Sequence, residues 1–282
     1  MTTSCMVTTQ WLEDHLGAPD LVVLDASYYL PAMNRDAKQE YDEAHIPGAL
    51  YFDIDQHSDK NSPLPHMLPE AHVFSSAMRK MGIGDGMTIV VYDGMGLFSA
   101  ARVWWMFRIF GVEQVFVLDG GLPKWTQENR PLTSQIRQRN TRHFTARKNN
   151  LLVSDMAHVQ RALSEGCCTV LDARSQDRFE GQVPEAREGL RAGHMPGAKN
   201  LPFGQLLKPT GELEDPATLQ AIFAEFDIDI NTNVITTCGS GVTASVISLA
   251  LAQIGHKQVS VYDGSWTEWG GHPETDVATG PA

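Results

Sequence analysis

The sequence predicts an α/β fold of two tandem domains, each a mostly parallel sheet with helices on both faces. Three observations predict it. The chain repeats itself once, each copy alternates short apolar runs with segments of helical periodicity, and the size suits two cores. With 282 residues, 42% of them hydrophobic and 20% charged, there is material for two domains of ordinary size.

The repeat runs through three ordered blocks. Val22-Val23-Leu24-Asp25-Ala26-Ser27 is echoed by Thr169-Val170-Leu171-Asp172-Ala173-Arg174, and His45-Ile46-Pro47-Gly48-Ala49 by His194-Met195-Pro196-Gly197-Ala198. Val115-Phe116-Val117-Leu118-Asp119-Gly120-Gly121 is echoed by Val259-Ser260-Val261-Tyr262-Asp263-Gly264-Ser265, and Trp125 by Trp269. Same order and nearly constant offsets mark a duplicated domain; a solenoid needs at least about three short repeats to stand. The chain divides into a first domain at 1–135, a basic linker at 136–150 and a second domain at 151–282.

The spacing predicts strands at Leu21–Leu24, Thr88–Tyr92 and Val115–Leu118, all short, β-branched and bounded by Gly or Asp. Helical periodicity covers Ala71–Met81 and Ala100–Phe110. The second copy matches, with strands at Thr169–Leu171, Val234–Thr237 and Val259–Tyr262 and helices at Ala217–Phe226 and Val242–Ile254. Strands alternating with helices give a parallel sheet covered on both sides. In such sheets ligands sit beyond the carboxyl ends of the strands.

Charge and composition exclude several classes. The formal net charge of −12 argues against a nucleic-acid surface, which needs clustered positive charge. No stretch is long and apolar enough to span a membrane. Met1 to Trp11 carries no Lys or Arg and no long apolar run, so it is a poor signal or transit peptide; a cytoplasmic location is expected. Cys5, Cys167, Cys168 and Cys238 show neither CxxC spacing nor a neighbouring His pair at zinc-ligand spacing; the chemistry read below calls for no metal or organic cofactor. Between 130 and 150, six basic and no acidic residues read as a solvated linker over two acidic domains.

The chemistry concentrates in one loop. Val234-Ile235-Thr236-Thr237 runs into Cys238-Gly239-Ser240-Gly241-Val242-Thr243-Ala244, while the first copy reads Tyr92-Asp93-Gly94-Met95-Gly96 at the same place. Duplication thus put a thiol in one copy and Asp93 in the other. Cys238 ends a strand and precedes a turn of small residues that opens a helix. Successive backbone N–H groups from Gly239, Gly241, Val242 and Thr243 are then free to curl around a sulfur anion. The alternative is an inert, buried cysteine at a strand end.

These residues resemble the rhodanese-like sulfurtransferase superfamily, and within it the enzymes acting on 3-mercaptopyruvate. The resemblance covers nearly the whole chain: the duplicated domain, the Asp-Ala-Arg strand end, both His-x-Pro-Gly-Ala blocks and the Cys-Gly-Ser-Gly-Val-Thr-Ala loop. It implies transfer of sulfur through a persulfide on Cys238, from 3-mercaptopyruvate to thioredoxin, a small thiol or cyanide. It also implies that Arg178 and Arg187 hold the substrate's carboxylate and carbonyl oxygens, although either arginine could instead pair with Asp177 or Glu185. Asp55, His66 and Ser240 are implied as a proton relay; His66 could equally be a surface residue of a Pro-rich turn. His45 and His194 read as structural. Relatives that use thiosulfate are expected to carry basic residues directly after the cysteine, where this chain has Gly239 and Ser240.

Two rivals remain. A cysteine phosphatase needs an Arg six residues after the cysteine, where this chain has Ala244. A non-catalytic binding protein of the same fold suits the first copy, with Asp93, better than the second. Cys167 and Cys168, at the start of a strand, read as core or edge residues.

Overall fold

The computed structural model describes residues 4–229 and 231–282; Met1–Thr3, at the head of the N-terminal segment discussed above, lie outside them. The chain forms two five-stranded sheets with the same permuted order. In the first, the strands β1 (Met6–Val7), β2 (Leu21–Asp25), β3 (Leu50–Tyr51), β4 (Thr88–Tyr92) and β5 (Val115–Leu118) lie in the order β1-β5-β4-β2-β3. In the second, β6 (Val153–Ser154), β7 (Thr169–Asp172), β8 (Lys199–Asn200), β9 (Val234–Thr237) and β10 (Val259–Tyr262) lie in the order β6-β10-β9-β7-β8. Every pairing between these strands is parallel.

The six strands expected from the sequence are all present. What the sequence did not signal are the four two-residue edge strands, too short to carry a period, and several short helices. Among the latter are α1 (Thr9–His15), α2 (Ala37–Glu43), α5 (Gly121–Gln127), α6 (Met156–Glu165), α7 (Gln176–Phe179) and α10 (Ser265–Trp269). The expected longer helices appear as α3 (Ala71–Lys80), α4 (Ala100–Ile109), α8 (Pro216–Ala224) and α9 (Ala244–Gln253). α9 starts two residues later than its periodicity suggests, because Val242 and Thr243 belong to the cysteine loop.

Helices cover both faces, as the continuous apolar runs require. Along β2 and β4, Val22, Leu24, Ile89 and Val91 face one apolar cluster while Leu21, Val23, Val90 and Tyr92 face another with Leu12, Tyr41 and Trp125. The second copy repeats this with Val170, Ile235 and Tyr262 against Val159, Phe179 and Trp266. His45 and His194 take equivalent structural places: each is buried, donates from Nδ1 to the backbone carbonyl of Tyr41 or Phe179, and stacks on that ring.

The two domains meet through α4 and α9. One apolar cluster runs through both, joining Val103, Phe107 and Phe110 to Val246, Leu249 and Ala250. The loop before each of these helices therefore lies at the junction of the domains. The basic segment is largely exposed and lies as a strap along the first domain. Thr133 bridges to His45, Asp85 accepts from the Thr145 amide at 2.7 Å, and Phe144 is 3% exposed against Phe74 and Phe107. Burial of that one aromatic ring, worth roughly 1.5–3 kcal/mol, is the signal that the run of arginines masked.

Candidate active site

Cys238 follows directly on β9 and is 2% exposed. Its loop is held by its carbonyls. The Cys238 carbonyl accepts from the Trp266 amide at 2.9 Å. The Gly239 carbonyl accepts from the Thr267 amide at 2.9 Å and from the Thr267 hydroxyl at 2.6 Å. The Gly241 carbonyl accepts from the Ser245 hydroxyl at 3.0 Å and from Arg102 Nη1 at 3.4 Å. In a trans peptide the C=O and the next N–H point in opposite directions. Tying these carbonyls outward turns the N–H groups of Gly239, Ser240 and Val242 to the other side of the loop. Among the described residues, none of these amides, nor those of Gly241 and Thr243, donates to a protein acceptor. The result is a ring of free donors beside the sulfur, a nest suited to an anion.

The first copy shows what such a loop holds. Asp93, at the position of Cys238, is fully buried, and its carboxylate accepts from the amides of Met95 (2.9 Å), Phe98 (2.7 Å) and Ala100 (2.8 Å). Burial pushes its pKa up, against the pull of those amides. The first cradle thus carries its own anion, and it is also closed: a Cβ on Gly96 would stand 3.0 Å from the Gly211 Cα of the second domain.

Arg178 and Arg187 converge on the cysteine loop. A Cβ on Gly239 would lie 3.3 Å from Arg178 Nη2 and 4.0 Å from Arg187 Nη1. Arg178, on α7, pairs with Glu185, which also takes Arg174 at 2.7 Å. Its Nε is buried without a partner. Arg187 forms no ion pair among the described residues; its Nη2 lies 3.5 Å from His66 Nε2. The two forks differ accordingly: Arg178 shares its charge with Glu185, while Arg187 keeps its own.

His66 reaches the site from the first domain. It is 3% exposed, so the surface reading of this histidine is wrong. The Pro-rich turn folds inward at a left-handed backbone (φ 60°), a conformation uncommon outside Gly but enriched for Asn, Asp and His. His66 Nδ1 lies 2.9 Å from Asp55 Oδ1, and this contact holds the Asp55 carboxyl below its usual range. Tyr28 meets the His66 ring edge-on at 5.1 Å. Ser240 is buried in the loop, but its hydroxyl makes no hydrogen bond to His66 or to any other described residue. Of the expected relay, His66 and Asp55 stand at ion-pair distance without completing a hydrogen bond at Nδ1, and Ser240 is bonded to neither.

A match to the rhodanese-like domain family covers residues 8–128 and again 155–272. This chain belongs to the rhodanese family. Rhodanese relatives include human 3-mercaptopyruvate sulfurtransferase, 42% identical over 94% of this chain and 91% of its own length. Thiosulfate sulfurtransferase of Rattus norvegicus is 40% identical over 98% of this chain and 95% of its own length. Among solved rhodanese structures, that of SseA from Escherichia coli, described with the catalytic mechanism of 3-mercaptopyruvate sulfotransferases, superposes with a TM-score of 0.86 at 41% identity. It covers 94% of this chain and 99% of that one. Relatives named for mercaptopyruvate and for thiosulfate are thus almost equally similar, so overall identity does not choose the donor. The loop residues bear on that choice.

Sequence reasoning missed the residues that hold this rhodanese loop in place: Arg102, Ser245, Asp263, Ser265 and Thr267. A signal for Arg102 was present, since it is a cation among the apolar residues of the helix's first turn. The cysteine pair also differs from expectation. Cys167 is exposed and its Sγ lies 3.7 Å from that of Cys168, whose thiol is pushed up to about 11 by burial and by its neighbour.

Proposed function

We propose that this protein is a 3-mercaptopyruvate sulfurtransferase in which Cys238 carries the sulfur. The observation that carries this is the cysteine loop. It pairs an open ring of amide donors with two guanidinium groups beside Gly239, and no cation stands within the loop itself. A mercapto-oxo acid has its charge three carbons away from the thiol's anchoring point, and Arg178 and Arg187 are placed for that end. Thiosulfate would bring a doubly charged group against neutral Gly239 and Ser240.

The cycle has two halves. The Cys238 thiolate attacks the donor's sulfur; the S–S bond forms, the C–S bond breaks, and its electron pair leaves as pyruvate enolate. Arg187 and Arg178 hold the carboxylate and the developing enolate oxygen through their planar forks. A proton delivered to the methylene carbon completes pyruvate, with His66, oriented by Asp55, and the Ser240 hydroxyl as the route. The persulfide's terminal sulfur sits among the amides of Gly239, Gly241, Val242 and Thr243. In the second half a small thiol, reduced thioredoxin or cyanide takes that sulfur and restores the thiolate. A reducing cytoplasm, which keeps thiols free, suits this chemistry.

Donor comparison tests the reading. Mercaptopyruvate is expected to give the higher kcat/KM, and Arg187→Ala to raise its KM by about tenfold or more, the scale of a lost charge-assisted hydrogen bond of about 1.5–3 kcal/mol. A clear preference for thiosulfate, or equal KM effects on both donors, would overturn the assignment of donor.

A further inference from the structure

One buried cation belongs to the wrong domain for a generic core residue. Arg102 lies in the first turn of α4, in the domain without the cysteine, and is completely buried. Its guanidinium reaches three groups of the active site. Nη2 pairs with Asp263 Oδ1 at 2.6 Å and donates to the His66 carbonyl; Nη1 approaches the Gly241 carbonyl at 3.4 Å. The face of the guanidinium lies over the Trp105 ring at 4.4 Å. Asp263 meanwhile accepts from the Leu68 amide at 2.8 Å. The turn that carries His66 is therefore held on both sides, at its carbonyl by Arg102 and two residues on by Arg102's own partner.

The duplication supplies an internal control. In the other half, Asp119 accepts from the Leu213 amide at 3.0 Å, the counterpart of Asp263 with Leu68. Counted from the helix start, however, the counterpart of Arg102 in α9 is Val246. Bringing the domains together thus needs the Asp-to-Leu contact on both sides, but the arginine appears only beside the working cysteine.

We infer that Arg102 is a positioning residue for sulfur transfer, fixing the His66 turn against the cysteine loop and turning the Gly241–Val242 peptide so that its N–H faces the sulfur. This rests on the sulfurtransferase reading above. Lysine at this place keeps the charge for Asp263, but its donors sit on one nitrogen and not on the planar fork whose Nη1 and Nη2 span the Gly241 and His66 carbonyls. Arg178 and Arg187 do not touch Arg102, so donor binding should survive its loss.

The test uses the full-length protein with Arg102→Lys and Arg102→Met, assayed for pyruvate release from 3-mercaptopyruvate, with melting temperature and circular dichroism as controls on folding. Expected is a fall in kcat of about tenfold for R102K and about a hundredfold for R102M, the scale of an ångström of misplacement, with KM for the donor within about threefold. A folded R102K with kcat within about twofold of the parent overturns the inference, as does a rise in KM at unchanged kcat. If R102M does not fold, R102K decides; if neither folds, the residue is structural and the inference fails. An unmutated protein that releases no pyruvate would instead sink the sulfurtransferase reading.

Discussion

At the scale of single residues, the site depends on unlike charges being kept apart and oriented. Arg178 is tied to Glu185, whereas Arg187 has only His66 beside it, so the two arginines should not be interchangeable. Asp55 offers a check on the His66 contact. Its carboxyl is held below the usual range, chiefly by His66. A lowered carboxylate stabilises the folded protein fully above its unfolded pKa, and that contribution disappears as pH falls through the folded value. Asp55 is more than half exposed, so the effect is small and screened. Asp55→Asn is expected to lower the urea midpoint slightly at pH 7 and to converge on the parent as pH falls below the ordinary carboxylate range. A gap that persists or widens in acid would show that His66 is not the partner that matters.

At the scale of elements, the comparison of the two strand–loop–helix units explains why one copy works. β4 and β9, α4 and α9 are equivalent, and both loops open at the domain junction. In the first copy a carboxylate occupies the amides, and Gly96 abuts Gly211; in the second the amides are free beside a thiol. These elements were legible in the sequence because β-branched runs of four or five residues and ten-residue amphipathic or buried helices carry strong periods. Two-residue strands such as Lys199–Asn200 were not legible, since their existence depends on a neighbour's edge and not on a local pattern. If occupancy and closure silence the first loop, a thiol alone will not revive it. Asp93→Cys placed in a Cys238→Ser background is expected to show no pyruvate release above Cys238→Ser alone. Recovery of even about 1% of parental turnover would mean that the loop, once given sulfur, is enough.

At the scale of the whole molecule, the proposed active site draws on both copies of the duplication. In that proposal the second domain supplies Cys238, Arg178 and Arg187 and the first supplies Asp55, His66 and Arg102, across a shared apolar cluster. The sequence revealed the thiol and the repeat because both are local. It said little about Arg102 or the inward turn of His66, because each acquires meaning only when a residue more than 100 positions away arrives beside it, as Asp263 does for Arg102 and Arg187 for His66. The same architecture makes a sharp claim about where sulfur goes. Of four free cysteines, one alone sits at the amide ring. Incubation with 3-mercaptopyruvate in the absence of an acceptor, followed by mass spectrometry of peptides, is the most direct test. One added sulfur, about +32 Da, is expected on the Cys238 peptide with one pyruvate released per chain. An adduct on Cys5, Cys167 or Cys168 instead, or full turnover in Cys238→Ser, would contradict the account.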